Sequence, residues 1–352
     1  MNHKKTQAKL EKLKSLLCKS GGVLIGMQDY PDPDAIAAAA ALRRLIRKIG
    51  GHPCTFAHGG TMGRAENRAL VRYAGLNLRK VEDLDFSRYA IVALVDTQPR
   101  TGNNSFPENI KPQIVIDHHP ICRATRSAEF TDVRKQYGAT STILYEYLYA
   151  TDTPIDVKLA TTLVYGIRSD TQDLGREVTK ADIEAYLALY PTANKRMLSK
   201  IENALLPREY FRIIASALSD ATLYGRGVIA DLGTLEYPDA LGEIADLLLR
   251  NEDSNLVLCH GVKDDRFLLS MRTADPELNA GKLMEHIVGS DGTGGGHASL
   301  AGGQIPLKTD PSNERRKVAD TILRRFKRIA GCRNKPGVAL LQEDSSSDAE
   351  EE

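Results

Sequence analysis

Seven residues in four short segments have the plainest chemical purpose in this sequence: Asp32 and Asp34 in PDPDA, Asp96 in ALVDTQ, Asp117-His118-His119 in VIDHHP, and Asp170 in GIRSDT. Several carboxylates with an imidazole make a donor set for divalent cations. Oxygen ligands suit Mg²⁺ and Mn²⁺, and imidazole adds affinity for later transition metals. Two such ions, roughly 3.5–4 Å apart, can clamp a phosphoryl group and activate a water against it. Pro33, with its fixed φ, lies between Asp32 and Asp34 and splays their side chains, and Pro31 stiffens the same loop. A lone Asp after a strand has an ordinary use as a turn or helix-cap residue, and Asp34 before an alanine-rich stretch would make a good cap. Two adjacent histidines beside an Asp, directly after a buried VI run, have no comparable packing use. The set, more than any one member, points to metal-assisted chemistry.

Such groups act together only if the chain gathers them. GGVLIGMQ (21–28) is a short apolar run ending in turn chemistry. DAIAAAAALRRLIRKIG reads as a helix, with Ala supplying propensity and Leu42, Leu45, Ile46 and Ile49 an apolar face. CTFAHG follows as a second strand, and strand, helix, strand in that order make a βαβ unit and a parallel sheet. YAIVALVD (89–96) and QIVIDHH (113–119) add two buried strands that end in acidic or His residues. In open parallel sheets, the crevice beyond the carboxyl ends of the strands collects ligand groups from distant positions. Asp32, Asp34, Asp96 and His118 would converge there. From 138 to about 220 the periodicity is helical, with Asp170 on or near a helix end. Strands resume in GRGVIADLG, SNLVLCHGV and RFLLSMRT, with the helix DALGEIADLLLR between the first two. The expected fold class is α/β: a parallel-sheet, metal-binding domain with flanking helices over 1–195, a helical linker over 196–222, and a smaller α/β domain over 223–330. An acidic, disordered tail is expected over 331–352.

The four segments resemble, in order and spacing, the motifs of the DHH phosphoesterase superfamily, and FLLSMRT followed by GTGGGHASLAGG resembles its DHHA1 substrate domain. In size the chain resembles the compact nano-RNases that also remove the 3′-phosphate from 3′-phosphoadenosine 5′-phosphate. The resemblance implies Asp32 on a first cation, Asp34 and His118 on a second, and Asp96 and Asp170 bridging both. It implies that Asp117 orients a ligand from behind and that His119 contacts the scissile phosphate. In the second domain it implies that Arg272 and the loop Gly294-Gly295-Gly296-His297 hold the substrate's terminal phosphate or base. Glycines let backbone N–H groups approach an anion, and Arg offers a bidentate fork. One position departs from the pattern: the family's His, four residues before the first Asp, is Gln28 here. As a metal ligand an amide oxygen is a harder and weaker donor than imidazole, so unequal cation sites are expected. The neighbouring Asp29 should point to the opposite face. Arg168 reads equally as a phosphate ligand or as the charge partner of Asp173.

Composition sets the bounds. With 352 residues, 42% of them hydrophobic and 26% charged, the chain can build two ordinary cores. Charges break every apolar run before the ~20 residues of a membrane span, so no membrane partner is expected. The first segment, with Leu10, Leu13, Leu16 and Leu17 among lysines, reads as an amphipathic helix and not as a secretory signal. Five scattered cysteines with no paired spacing exclude a disulfide framework and a Cys-based zinc site, and the expected location is cytoplasmic. The last ten residues hold six acidic groups and no basic one, leaving 47 Lys+Arg against 40 Asp+Glu elsewhere, which suits anionic substrates. The expected function is hydrolysis of short oligoribonucleotides or 3′,5′-bisphosphonucleotides with two divalent cations, Mn²⁺ ahead of Mg²⁺. Short single-stranded RNA and small nucleotides are the expected partners, and a homodimer is left open. Pyrophosphatase, exopolyphosphatase and cyclic-dinucleotide phosphodiesterase activities are alternatives on the same core. A non-catalytic nucleotide sensor is a further alternative, favoured by Gln28 and opposed by the retained acids and histidines.

Overall fold

The computed structural model describes residues 3–18, 21–60, 62–296, 298–307 and 311–341. The chain divides into two compact units, Met1–Leu205 and Leu206–Glu352.

The first unit runs α1 (His3–Leu17), β1 (Gly22–Gly26), α2 (Pro33–Ile49), β2 (Cys54–His58), α3 (Ala65–Ala74), β3 (Leu78–Lys80), β4 (Tyr89–Val95), β5 (Ile114–Asp117) and β6 (Phe130–Val133). Four helices close it: α4 (Thr140–Ala150), α5 (Val157–Asp170), α6 (Lys180–Leu189) and α7 (Lys195–Glu202). The strands form one sheet in the order β3-β2-β1-β4-β5-β6, with every pairing parallel. This is the expected parallel sheet with flanking helices. The order reverses between β1 and β4, and a sheet built this way opens a crevice at the carboxyl ends of that pair.

Alternation along the strands sorts side chains to two faces. Val23, Ile25, Ile91, Ala93, Val95, Ile114 and Ile116 join the main core with residues of α1, α2, α4, α5 and α7. Leu24, Ala57 and Val92 belong to a smaller cluster covered by the chain around Val81, Phe86, Phe106 and Ile110. Leu10, Leu13, Leu16 and Leu17 of α1 are buried in the main core, as an amphipathic helix requires.

The second unit runs α8 (Arg208–Asp220), β7 (Thr222–Tyr224), β8 (Gly227–Thr234), α9 (Ala240–Leu248), β9 (Leu256–Lys263), β10 (Arg266–Thr273), α10 (Ala280–Val288), β11 (Thr293–Gly296), β12 (Leu300–Pro306), α11 (Pro311–Ile329) and β13 (Val338–Ala339). Its sheet has the order β11-β12-β10-β9-β8-β7-β13, in which only β8 and β9 pair in parallel. One core holds residues of α8 and α9, the other residues of α10 and α11, so helices cover both faces.

Two boundaries differ from the sequence reading. The stretch 196–222 is divided between the units instead of standing as a linker. Leu198 and Ile201 of α7 are buried in the first core, whereas Ala217 of α8 is buried in the second unit. The stretch from 331 is not the disordered tail expected there, because Val338 and Ala339 pair with Leu223 and Thr222 along the sheet edge. The acidic residues 343–352 lie outside the described residues. No helix among the described residues is long and apolar enough to cross a membrane.

Candidate metal centre

β5 ends on Asp117 and hands the chain to His118, whose ring is fixed from behind. Its Nδ1 lies 3.0 Å from the Tyr137 carbonyl oxygen, an acceptor, so Nδ1 carries the hydrogen. The other nitrogen, Nε2, lies 3.0 Å from Asp170 Oδ2 and 3.6 Å from Asp96 Oδ1. It is buried and makes no well-aligned hydrogen bond. The Tyr137 carbonyl is itself held in place. The Tyr137 hydroxyl donates to Glu146 Oε1 at 2.8 Å and accepts from Arg134 Nη1 at 3.2 Å. The buried Arg134 is locked between Asp132 at 2.7 Å and Glu146 at 2.6 Å. Thr6 and Lys9 of α1 bond to Glu146 and Asp132 and complete the network.

The carboxylates reach the same place from three other elements. Asp34 sits in the first turn of α2 but does not cap it. Its oxygens accept from the N–H groups of Thr140 (2.6 Å) and Ser141 (2.9 Å), which open α4. A helix N-terminus offers unpaired N–H groups and a positive dipole end, which suits a carboxylate. The cap of α2 is Asp32, whose Oδ1 accepts from Ala35 N at 2.9 Å. Asp96 follows β4 in the left-handed region, at φ +57, uncommon for a residue with a side chain. Its Oδ1 accepts from Thr140 Oγ1 at 2.9 Å. Asp170 is the last residue of α5, which packs closely on α2 at Gly166. A Cβ there would stand 2.7 Å from the Ala37 Cβ, so only glycine permits this approach.

Asp117 holds His119 and Gln98. Its Oδ1 lies 2.8 Å from His119 Nδ1, and its Oδ2 accepts from Gln98 Nε2 at 2.6 Å. Gln98 is buried, and its Oε1 accepts from Cys122 N and Thr125 Oγ1, both at 2.7 Å. Gln98, Tyr137, Thr140 and Ser141 were not singled out in the sequence. Their neighbourhood was visible, in ALVDTQ and in GATST at the start of a helix, but their partners lie far along the chain.

Electrostatics show how the cluster carries its charge. Burial first, and then neighbouring carboxylates, raise Asp32, Asp34 and Asp96, with Asp34 pushed up to about 7. Burial alone would lower His118, but Asp170, Asp34 and Asp117 outweigh it and push the imidazole up to about 10. Burial would likewise raise Asp117 and Asp170. Their histidine partners prevail and hold both below the ordinary carboxylate range. The cluster therefore binds protons to relieve buried like charge, and a divalent cation answers the same need. One donor atom each from Asp34, His118 and Asp170 lie within 4.8 Å of one another, as do atoms of Asp96, His118 and His119. A buried His Nε2 turned to carboxylate oxygens fits a cation.

Asp32 stands outside both groups. Its Oδ2 accepts from Gln28 Nε2 at 2.7 Å, while Gln28 Oε1 accepts from Asn103 Nδ2 at 3.3 Å. Gln28 is thus placed to orient Asp32, with its oxygen turned aside. Asp29 accepts from Ser105 N and Oγ, at 2.9 and 2.6 Å, away from the centre. Arg168 pairs with Asp173 at 2.5 Å and with Glu202 at 3.4 Å.

In the second unit, Arg272 on β10 pairs with Asp246 at 2.5 Å and donates to Ser270 Oγ at 3.0 Å. Gly294, Gly295 and Gly296 form an edge strand, where a loop was expected, paired through Gly303, Gly302 and Ala301 of β12. Packing explains part of the glycine requirement: a Cβ on Gly296 would meet Leu300 O at 2.3 Å, whereas one on Gly295 would meet nothing. His297 lies outside the described residues.

Two family models match the chain, the DHH family N-terminal domain over 23–167 and the DHHA1 domain over 226–328. Among curated proteins, an uncharacterized protein of Methanocaldococcus jannaschii is 36% identical over 305 residues, covering 86% of this chain and 62% of that one. The A-adding tRNA nucleotidyltransferase of Aquifex aeolicus is 25% identical over 255 residues, covering 69% of this chain and 29% of its own length. The chain thus spans less than two thirds of either curated relative. Among solved structures, an exopolyphosphatase-related protein from Bacteroides fragilis superposes with a TM-score of 0.72 at 14% identity, covering 92% of this chain and 98% of its own. RecJ from Thermus thermophilus in complex with Mn²⁺ gives 0.55 at 12% identity, covering 92% of this chain and 55% of that one. At these identities the two structures show a shared fold.

Proposed function

Because this chain belongs to the DHH phosphoesterase superfamily, with a DHH N-terminal domain and a DHHA1 domain, we propose that it is a divalent-cation-dependent hydrolase of phosphoester bonds in small nucleotides. The substrates proposed are short oligoribonucleotides and 3′,5′-bisphosphonucleotides. The observation that carries the reading is the buried His118 Nε2, turned to Asp170 at 3.0 Å and Asp96 at 3.6 Å. Asp34, Asp96, His118 and Asp170 would hold the cations, with Asp32 beside them under the control of Gln28. Divalent cations bound there supply Lewis acidity toward a phosphoryl oxygen and neutralise developing charge. Mn²⁺ is the first choice, and Mn²⁺ in the RecJ structure of the same fold supports it.

The remaining chemistry belongs to the chain. His119 is half-buried and lies against Asp117, which outweighs burial and holds the imidazole charged above its usual range. A charged imidazole at this place can contact a phosphate oxygen of the substrate. Gln98 keeps Asp117 turned toward His119. Arg272 and the Gly294–Gly296 strand are proposed to hold the nucleotide's terminal phosphate or base. Five free cysteines suit a reducing, cytoplasmic location.

Metal-stripped protein reloaded with Mn²⁺ or Mg²⁺ tests this against a short oligoribonucleotide, a 3′,5′-bisphosphonucleotide, a cyclic dinucleotide and polyphosphate. Cation-dependent turnover of either of the first two is expected. Turnover of polyphosphate alone, or of none, would overturn the reading.

A further inference from the structure

The face of the first sheet away from the helices carries a cavity of about 630 Å³. Pro99, Ile110 and Pro112 give it an apolar wall, and Arg100, Lys111 and Arg123 bring positive charge. Glu108 is the one acidic residue in the lining, and it is spent on Arg100, 3.5 Å away. Among the described residues, the side chains of Lys111 and Arg123 have no hydrogen-bonding or ionic partner.

The cavity is built before any ligand arrives. Its two lining loops are tied at the buried Gln98, whose side-chain oxygen accepts from Cys122 N and Thr125 Oγ1. The Gln98 carbonyl accepts from Thr101 Oγ1 at 2.8 Å and Asn104 Nδ2 at 2.9 Å. Cys122 Sγ donates to Pro99 O at 3.5 Å across the same junction. A pre-ordered wall removes the cost of ordering loops on binding. The volume lies in the range of small-molecule sites, roughly 300–1,000 Å³.

Two uncommitted cations beside a proline and isoleucine wall select an anion with a flat apolar body. We propose that this cavity is a second ligand site for a small organic phosphate, a nucleoside monophosphate being the type. Its phosphate rests on Lys111 and Arg123 and its base against Pro99, Ile110 and Pro112. None of these residues belongs to the candidate metal centre, and the site does not require that centre to be hydrolytic.

Equilibrium dialysis of labelled AMP against EDTA-treated full-length protein tests this apart from the metal centre. The wild type is compared with Lys111→Ala/Arg123→Ala, two exposed changes that leave the core intact. Binding is expected in the wild type and a loss of about tenfold or more in the variant, as removal of two charge-assisted contacts entails. AMP is also expected to slow alkylation of Cys122, a lining residue, while leaving the exposed Cys18 unaffected. No binding up to ~10 mM, weaker than any useful affinity, or equal binding by the variant, would overturn the proposal.

Discussion

Gln28 donates its amide N–H to Asp32 Oδ2 at 2.7 Å, and its own oxygen turns toward Asn103. The residue that departs from the resembled pattern therefore donates to a carboxylate, and its oxygen accepts from Asn103. Gln28→His should raise Mn²⁺ affinity at the weaker site by the roughly 10–100-fold that changes around a metal carry. Gln28→Ala should lower it, because Asp32 loses its guide. Calorimetric titration of metal-stripped protein with Mn²⁺ checks both. Two equally tight wild-type sites, unchanged in Gln28→His, would contradict unequal occupancy.

Stability without metal should depend on pH through Asp34. Burial lifts its carboxyl from 3.8 to about 7, so the folded state holds a proton that the unfolded chain has released. That contribution is full below 3.8 and is lost as pH rises through about 7. His118, lifted from 6.5 to about 10, acts the same way over its own higher window. His58 and His260, lowered by burial, act in the opposite sense. The informative quantity is the difference between Asp34→Asn and wild type. In EDTA, the melting temperature of Asp34→Asn should gain on wild type between pH 5 and pH 8, and saturating Mn²⁺ should reverse that gain. A difference independent of pH would show that Asp34 is not the proton-holding carboxyl.

The sheet, its direction and the convergence of acids at the strand ends were legible in the sequence. The unbroken apolar runs in YAIVALVD and IVID, with chemistry placed at each end, are a local signal. Long-range partners were not legible. Nothing near Asp34 in the sequence shows that its oxygens receive the first N–H groups of α4, and so a helix cap stands as its ordinary reading beside that of a cation ligand. The glycine run read as a loop because glycine marks turns, yet it pairs as an edge strand where β12 supplies its own glycines opposite. The α7 and α8 helices read as one linker because amphipathic periodicity does not say which core a helix faces. Arg168 had two readings, and only the position of Asp173 separates them.

Gln98 links the DHH segment to its surroundings through four hydrogen bonds of one buried amide. Gln98→Met keeps the bulk and removes every bond, leaving Asp117, Cys122 N and Thr125 without this partner. A loss of about 2–4 kcal/mol in denaturant unfolding is expected, from unsatisfied buried groups of ~1–3 kcal/mol each. Turnover at saturating Mn²⁺ should fall as well, because Asp117 no longer faces His119 at a fixed angle. Stability within ~0.5 kcal/mol of wild type, the range of neutral surface changes, would show that the amide is not an anchor.

Arg272 is bound to Asp246 at 2.5 Å. If its guanidinium serves a substrate phosphate, it must exchange that partner. Arg272→Ala should then raise KM for a nucleotide substrate more than it lowers kcat, and should spare a small generic phosphodiester. Asp246→Ala should lower the nucleotide KM by freeing the fork. Steady-state kinetics on both substrates checks the pair. Equal losses on both substrates in Arg272→Ala would assign the residue to structure.

The central claim is that carboxylates and His118 hold the cations that make hydrolysis possible, and Asp170→Asn tests it most directly. The amide keeps the shape at the end of α5 and removes the charge beside His118 Nε2. The measurement is Mn²⁺-dependent turnover of a short oligoribonucleotide and of a 3′,5′-bisphosphonucleotide, on protein shown by circular dichroism to be folded. A fall of about 10²–10³-fold is expected, the scale of losing a main electrostatic contribution at a reacting centre. Turnover within about tenfold of wild type, or ~1.4 kcal/mol in the barrier, would contradict the claim.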